Sequence, residues 1–180
     1  LAVRSSSLLE DSYYLPFAGI YSTYMLPNDH KQVSERLIHL VRAIKLIYAS
    51  VYLRQARAYI ESTPYKVEDE KMAVVIQEVV GKRHGRYFYP DFSGVAQSFN
   101  YYPISYMKPE QGVARVALGL GKQVVEGGNA LRFCPAYPKI SPAMVSIEEA
   151  FRNAQSRFYA LDVEADANQL LLDDAGTLVH

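Results

Sequence analysis

An arginine set among hydroxyl side chains is the feature of this sequence with the clearest chemical meaning. The run VRSSSLLEDS occupies residues 3–12 and is followed by FAG at residues 17–19. Arginine presents its donors in a rigid fork and keeps its charge at neutral pH, so Arg4 is suited to bind a phosphate. The serine hydroxyls and the backbone amides around Gly19 could surround the same anion. The residues alone leave an alternative, which is an exposed arginine beside a capped helix start.

Composition limits the classes of protein that this chain can belong to. Its 180 residues are 49% hydrophobic and 21% charged, which is typical of a folded domain with a sizeable core. The formal net charge of +0 argues against general binding to nucleic acid or to an anionic membrane. No apolar run approaches the roughly 20 residues that span a bilayer.

The cysteine content and the first residue suggest where the protein works and how it is organised. The single cysteine, Cys134, cannot form an internal disulfide, which favours a reducing compartment such as the cytoplasm. The chain begins at Leu1, inside a predicted strand, so we expect it to be a piece of a longer protein. There is no secretory signal pattern.

The elements that must position Arg4 follow from hydrophobic periodicity. Residues 1–4 read as a strand end, and residues 5–26 as a loop with short helical turns. Asn28 or Asp29 is expected to cap a helical region that reaches about Arg57, as one helix or as two with a bend near residues 49–50. Its predicted core face recurs at three- and four-residue spacing: Leu37, Leu40, Val41, Ile44, Ile47, Tyr48 and Val51.

The second half of the chain reads as strands followed by a helix. Residues 72–80 predict a strand buried on both faces, residues 81–86 a turn, and residues 119–145 an irregular segment. Further strands are predicted at 87–90, 94–99 and 113–118. Ser146 should cap a helix that continues to about Ala160, and a turn is expected at residues 173–176 in an acidic tail. This mixture of elements predicts an α/β or α+β domain, and we expect α+β.

Four motifs, in one order, resemble a known family. VRSSSLLEDS with FAGIYSTY resembles V-R-S-S-A-x-x-E-D with F-A-G-x-x-x-T, and MAVVIQEVV at 72–80 resembles the strand that reaches the adenine. SGVAQS at 93–98 resembles S-G-V-x-F-T, and GLGKQVVEG at 119–127 resembles G-L-G-E-x-V-V-x-G. Together these motifs resemble the nucleotide-binding domain of pyruvate phosphate dikinases and phosphoenolpyruvate synthases.

The resemblance implies a fold and an activity. The fold would be ATP-grasp-like and incomplete, one piece over residues 1–180, with residues 1–130 best matched and residues 131–180 adding a helix and an acidic tail. The activity would be the ATP-binding part of a dikinase, with Mg²⁺ as a second cofactor. Such an enzyme phosphorylates pyruvate to phosphoenolpyruvate through a phosphohistidine on another domain, so pyruvate or another acceptor would bind to domains beyond this piece.

The resemblance also implies site residues. Arg4 would contact the nucleotide phosphates, Gly19 would let backbone approach them, and Thr23 would add a hydroxyl. Gln77 would bond near the adenine, with the backbone of Glu78 to Val80 as the hinge edge. The alternative for Gln77 is a polar residue at a strand end that bonds to neighbouring backbone.

Several departures from the family pattern leave other interpretations open. Asp162 and Glu164 imitate the start of the family's metal-binding D-I-E motif, but the L-Q-x-R ending is absent, and an acidic surface turn is the alternative. The family's lysine upstream of the arginine and its T-x-H motif are also absent, and Lys122 replaces an acid. The piece should therefore be inactive alone. The competing functions are a non-catalytic nucleotide-binding or interaction module of the same fold, and an antibiotic phosphotransferase.

Overall fold

A computed structural model describes most of the chain. The described residues are 1–10, 19–104, 106–125, 128–140, 146–166 and 177–179. The expected turn at residues 173–176 and several motif positions, including Asp11, Ala18, Glu126 and Gly127, lie outside them. The described strands and helices form a mixed arrangement of small sheets and few helices, consistent with the α+β class. No helix in these ranges is both long and apolar enough to cross a membrane.

The chain divides into two compact units. The first unit contains Leu1–Val80, His84–Phe88 and Leu161–Thr177. The second unit contains Gly81–Arg83, Tyr89–Ala160 and Leu178–His180.

The first unit is built on a three-stranded antiparallel sheet. Its strands are β1 (Ala2–Ser7), β2 (Thr23–Met25) and β3 (Met72–Gln77), in the order β2-β1-β3. Strand β1 is longer than predicted, and β2 lies in the segment that was expected to be a loop. The prediction that β3 is buried on both faces is wrong, because Ala73, Ile76 and Gln77 are exposed.

Two helices follow β2 and pack on one face of this sheet. They are α1 (Val33–Ser50) and α2 (Arg54–Glu61), so of the two predicted arrangements the pair of helices is the one observed. The predicted cap at Asn28 or Asp29 is wrong. The N-cap is Gln32, which makes no side-chain cap bond. Asn28 has φ 57, a left-handed conformation that a helix cannot contain.

The core face of α1 is only partly the predicted one. Ile47 is fully buried, and Leu40 and Ile44 pack against the same cluster. Val41, however, is 38% exposed, and Leu37 and Tyr48 are exposed as well. Two small residues, Ala43 and Ser50, take the buried positions beside Ile47. The buried face of α1 therefore differs from the predicted one, because it includes small side chains that a search for hydrophobic periodicity does not emphasise.

The second unit contains another three-stranded antiparallel sheet. Its strands are β6 (Ser93–Gln97), β7 (Val113–Ala117) and β8 (Leu131–Phe133), in that order. A one-turn helix, α3 (Lys122–Val125), and strand β8 both lie in the segment that was predicted to be irregular. Helix α4 (Ile147–Asn153) begins as predicted, because Ser146 Oγ accepts a hydrogen bond from the Glu149 amide. It ends seven residues before Ala160, since a strand begins at Phe158.

The remaining strands are β4 (Lys82–His84), β5 (Tyr87–Tyr89), β9 (Phe158–Asp162) and β10 (Thr177–Val179). Strand β4 occupies part of the segment predicted as a turn. Within the first unit, β5 and β9 pair antiparallel, with Tyr87 opposite Asp162.

Candidate functional site

Arg4 lies on the face of the β2-β1-β3 sheet opposite to the face that α1 covers. It is paired directly with Thr23 on one side and with Val75 on the other. Gln77 is opposite Ala2, two residues along β1 from Arg4, so it is on the same face. Directly paired residues have Cβ atoms about 5 Å apart, and diagonal neighbours are about 7–8 Å apart. We call Arg4, Thr23, Val75 and Gln77 the Arg4 face.

The Arg4 face presents polar groups to solvent. Arg4 and Gln77 are exposed, while Thr23 and Val75 are half-buried. None of the residues that the structure describes forms an ion pair or hydrogen bond with the Arg4 guanidinium. The face thus combines a guanidinium, a hydroxyl and an amide. Together these groups can bind an anionic group and a polar heterocycle.

The serines beside Arg4 do not all share its side of the sheet. Strand alternation turns Ser5 and Ser7 toward the covered face, where both are buried. The Ser5 hydroxyl donates to Glu10 Oε1 and the Ser7 amide donates to Glu10 Oε2, each at 2.8 Å. The Glu10 amide donates in turn to the Ser7 hydroxyl at 3.1 Å. Two of the three hydroxyls expected around an anion therefore hold the turn after β1.

A tyrosine on the covered side forms a second buried polar contact that the sequence analysis missed. The Tyr21 hydroxyl donates to Glu70 Oε2 at 2.5 Å, and only 6% of Tyr21 is exposed. Burial, and then the hydrogen bond to Glu70, raise the pKa of Tyr21. These two residues are 49 positions apart, so no local spacing could have indicated the contact.

Three other predicted site residues lie beside the two outer strands. Gly19 precedes β2 by four residues and has φ 77, a conformation that favours glycine. A Cβ atom built there would meet nothing within 4 Å, so the backbone at Gly19 faces open space. Glu78 and Val80 follow the end of β3 and are exposed.

The two candidate metal ligands, Asp162 and Glu164, are linked by a hydrogen bond, and Asp162 also bonds to Arg86. Asp162 is the last residue of β9 and is only 6% exposed, so it does not itself lie in a surface turn. It accepts a hydrogen bond from Arg86. Its Oδ1 also accepts from the Glu164 amide at 3.1 Å. The Arg86 bond holds the pKa of Asp162 below its usual range. No group of three or more His, Cys, Asp or Glu side chains in the described ranges is placed to hold a metal ion. Asp162 and Glu164 as metal ligands stay a prediction.

Close packing explains why glycine occupies two positions in the later motifs, Gly94 and Gly119. A Cβ atom on Gly94 would lie 2.9 Å from the Arg115 carbonyl oxygen across the β6–β7 pair. Gly119 has φ 77, and its Cβ atom would lie 2.6 Å from the Tyr159 carbonyl oxygen. Lys122, which departs from the family pattern, places its ammonium 5.3 Å from the centre of the Tyr159 ring.

Comparisons with known proteins agree with this arrangement of motifs. The family model described as pyruvate phosphate dikinase, AMP/ATP-binding domain, matches residues 1–169. A phosphoenolpyruvate synthase from Aeropyrum pernix is 31% identical over 127 residues, which are 71% of this chain and 13% of that relative. The chain therefore spans a small part of that relative's length. No solved structure gives a significant match. The match over residues 1–169 shows that this chain belongs to the family of pyruvate phosphate dikinase AMP/ATP-binding domains.

Proposed function

We propose that the Arg4 face binds ATP, within a domain of ATP-grasp-like fold that extends over residues 1–180. The observation that carries the proposal is the register of the first sheet. It aligns Arg4 with Thr23 and puts Gln77 on the same open side, while α1 occupies the other side. An exposed guanidinium without a protein partner among the described residues is available to an anionic ligand.

Each residue has a role that its chemistry supports. Arg4 would bind the phosphates through charge-assisted hydrogen bonds, and the Thr23 hydroxyl beside it would add a donor. Gly19 would admit a phosphate close to the backbone, since no atom fills the space next to it. The Gln77 amide would bond to the adenine, and the backbone of the exposed residues Glu78 and Val80 would form the edge that the base meets.

The activity of the whole protein is a second part of the proposal. The name of the Aeropyrum relative, phosphoenolpyruvate synthase, supports an enzyme that makes phosphoenolpyruvate. We propose that the whole protein makes it from pyruvate with ATP, through a phosphohistidine on a domain other than this one. Phosphoryl transfer requires charges fixed around one phosphate, and Arg4 would supply one of them. Mg²⁺ would enter as part of the nucleotide substrate, and we assign no protein ligand to it.

Nucleotide binding by this chain tests the first part. ATP should bind with a Kd of about 1 mM, worth about 4 kcal/mol. Arg4→Ala should weaken binding at least about tenfold, because a charge-assisted hydrogen bond is lost. The matched control is Arg57→Ala, which removes an exposed arginine from α2 and should leave the affinity unchanged. Equal affinities for the wild type and Arg4→Ala would place the nucleotide elsewhere.

Turnover by the full-length protein tests the second part. It should convert ATP to AMP in the presence of pyruvate, and Arg4→Ala should reduce this conversion sharply. Binding without turnover would favour a non-catalytic module of the same fold. Turnover that requires an antibiotic as acceptor would favour an antibiotic phosphotransferase. The 180-residue chain alone should show no turnover.

A further inference from the structure

A cleft in the first unit lies where the chain passes from β2 into α1. Its volume is about 320 Å³. It is lined by residues 27–30 before α1, by Glu35, Arg36 and His39 on α1, and by residues 165–166 after β9. All of them belong to the first unit. We call it the Arg36 cleft, and none of its lining residues belongs to the Arg4 face.

Local contacts at the start of α1 position the side chains of this cleft. The Gln32 amide donates to His30 Nδ1 at 3.2 Å, and the Arg36 amide donates to the Gln32 carbonyl oxygen at 3.4 Å. On α1, His39 is four residues from Glu35 and three from Arg36, so all three are neighbours on one side of the helix. The cleft is therefore shaped by this chain before a ligand binds.

The Arg36 guanidinium lacks the partner that its position requires. Arg36 is half-buried, and its Nε atom is buried without a hydrogen-bond partner. Within the part of the chain that the structure describes, no carboxylate forms an ion pair with this guanidinium. Buried donors are normally satisfied, and a buried charge without a counter-charge is costly. The arrangement indicates that an anionic group is missing beside Arg36.

The acids that line the cleft add a second requirement. Asp29 is exposed and Glu35 is half-buried, and neither carboxylate has an ion pair or a side-chain hydrogen bond among the described residues. Asp166 is engaged in another interaction. These carboxylates would repel a simple anion that approached Arg36. A ligand that carries an anionic group for Arg36 and cationic groups for the two acids meets both requirements.

We propose that the Arg36 cleft binds a basic α-amino acid of the size of lysine. The carboxylate of the ligand accepts hydrogen bonds from the Arg36 guanidinium, whose fork of donors matches two carboxylate oxygens. The two ammonium groups of the ligand donate to the carboxylates of Asp29 and Glu35. Because the guanidinium is one delocalised cation, the bound carboxylate also compensates the charge at the buried Nε.

The size of the cleft agrees with such a ligand. At about 30 Å³ for each water-sized group, the cleft holds about ten such groups, and lysine has about ten non-hydrogen atoms. The cleft shares no residue with the proposed ATP site, so either proposal can fail without the other.

The test is an NMR titration of the full 180-residue chain that follows the Arg36 Nε–H and His39 ring signals. L-Lysine should shift both signals saturably, with a Kd in the millimolar range. Cadaverine is lysine without the carboxylate, and L-norleucine is lysine without the side-chain ammonium group. Each should bind at least about tenfold more weakly, because each lacks one set of charge-assisted hydrogen bonds. Matched sodium chloride controls for ionic strength.

Two variants locate the binding. Arg36→Gln removes a charge without a protein partner among the described residues, so it should stay folded, and lysine should lose its advantage over cadaverine when the His39 signals are followed. Glu35→Gln should weaken lysine binding at least about tenfold. The matched control is Glu61→Gln, which changes an exposed acid at the end of α2 and should leave the affinity unchanged.

Four results would overturn the proposal. They are the absence of a saturable shift with lysine, equal affinity of the wild type for lysine and for either analogue, an Arg36→Gln variant that still prefers lysine to cadaverine, and a Glu35→Gln variant that binds lysine as the wild type does.

Discussion

The two faces of the β2-β1-β3 sheet differ in their surroundings, although strand β1 supplies residues to both. On the covered face, Val3 is fully buried in the cluster that contains Ile47, and Ser5 and Ser7 bond to Glu10. On the open face, Arg4 is exposed. Strand alternation therefore divides one short motif, residue by residue, between the core and an exposed face that we propose binds ATP.

This division changes how the motif should be interpreted. The serines look like part of an anion site, since hydroxyls often accompany an arginine that binds phosphate. Ser5 and Ser7 instead satisfy a carboxylate that folds the chain back after β1. Substitutions on the two faces should consequently have separable effects, and the predictions below rank them from the largest effect on stability to the smallest.

Removing a large side chain from the covered face should have the largest effect. Ile47→Ala leaves a cavity where the side chain is fully buried, and should reduce the free energy of unfolding by about 2–5 kcal/mol. Urea unfolding measures this. Val41→Ala on the same helix is the control and should change it by less than about 0.5 kcal/mol, since Val41 is 38% exposed. Equal losses for the two variants would contradict the assignment of the helix face.

Removing the Glu10 carboxylate, which holds the turn after β1, should have the next largest effect on stability. Glu10→Ala removes the acceptor of the Ser5 hydroxyl and of the Ser7 amide, both in buried residues. Leaving them unsatisfied should cost about 1–3 kcal/mol of unfolding free energy. Glu61→Ala, an exposed acid at the end of α2, should cost nothing measurable. A Glu10→Ala variant as stable as the wild type would mean that the serines are not held by this carboxylate.

Replacing Tyr21 should have a smaller effect on the free energy of unfolding, and this effect should depend on pH. Tyr21→Phe removes the hydrogen bond to Glu70 and should cost about 0.5–1.5 kcal/mol at neutral pH. The pKa of Tyr21 is raised in the folded protein, so the folded state retains this proton more strongly than the unfolded state does.

The stabilisation from Tyr21 is therefore complete below the ordinary tyrosine pKa of 10.0 and declines as the pH rises above that value. The difference in unfolding free energy between the wild type and Tyr21→Phe should narrow as the pH is raised from 9 to above 10.0. Chemical denaturation at a series of pH values measures it. A difference that widens with pH would show that the direction of the pKa change is wrong.

The elements set by local chemistry were predictable from the sequence. Ser146 caps α4 as expected, because a serine followed by Glu149 is a sufficient local signal. The start of α1 was not predictable in this way, since Gln32 makes no capping bond and the polar residues before it form no cap. The exposure of Val41 was also missed, because tertiary packing selected Ala43 and Ser50 for the core.

The sequence proposed residues for the candidate site, but it did not predict how the strands that carry them pair. The family motifs indicated Arg4, Thr23 and Gln77, and these remain predictions as ligand contacts. That β2 pairs with β1, so that Thr23 is opposite Arg4, depends on strand pairing between residues 19 positions apart. The Tyr21–Glu70 bond and the Arg86–Asp162 bond are also long-range, and no local pattern specifies them.

The smallest expected change in stability belongs to Arg4, and it gives the sharpest test of the comparison. Arg4→Ala removes an exposed side chain with no protein partner among the described residues, so the free energy of unfolding without nucleotide should stay within about 0.5 kcal/mol of the wild type. Nucleotide should separate the two proteins. With a Kd of about 1 mM, ATP at about 10 mM should stabilise the wild type by about 1.4 kcal/mol, and Arg4→Ala by much less. Ile47→Ala should show the reverse pattern, because it loses stability yet retains the full gain from ATP. If Arg4→Ala unfolds as easily as Ile47→Ala, or if both respond equally to ATP, the two faces do not divide the work between them.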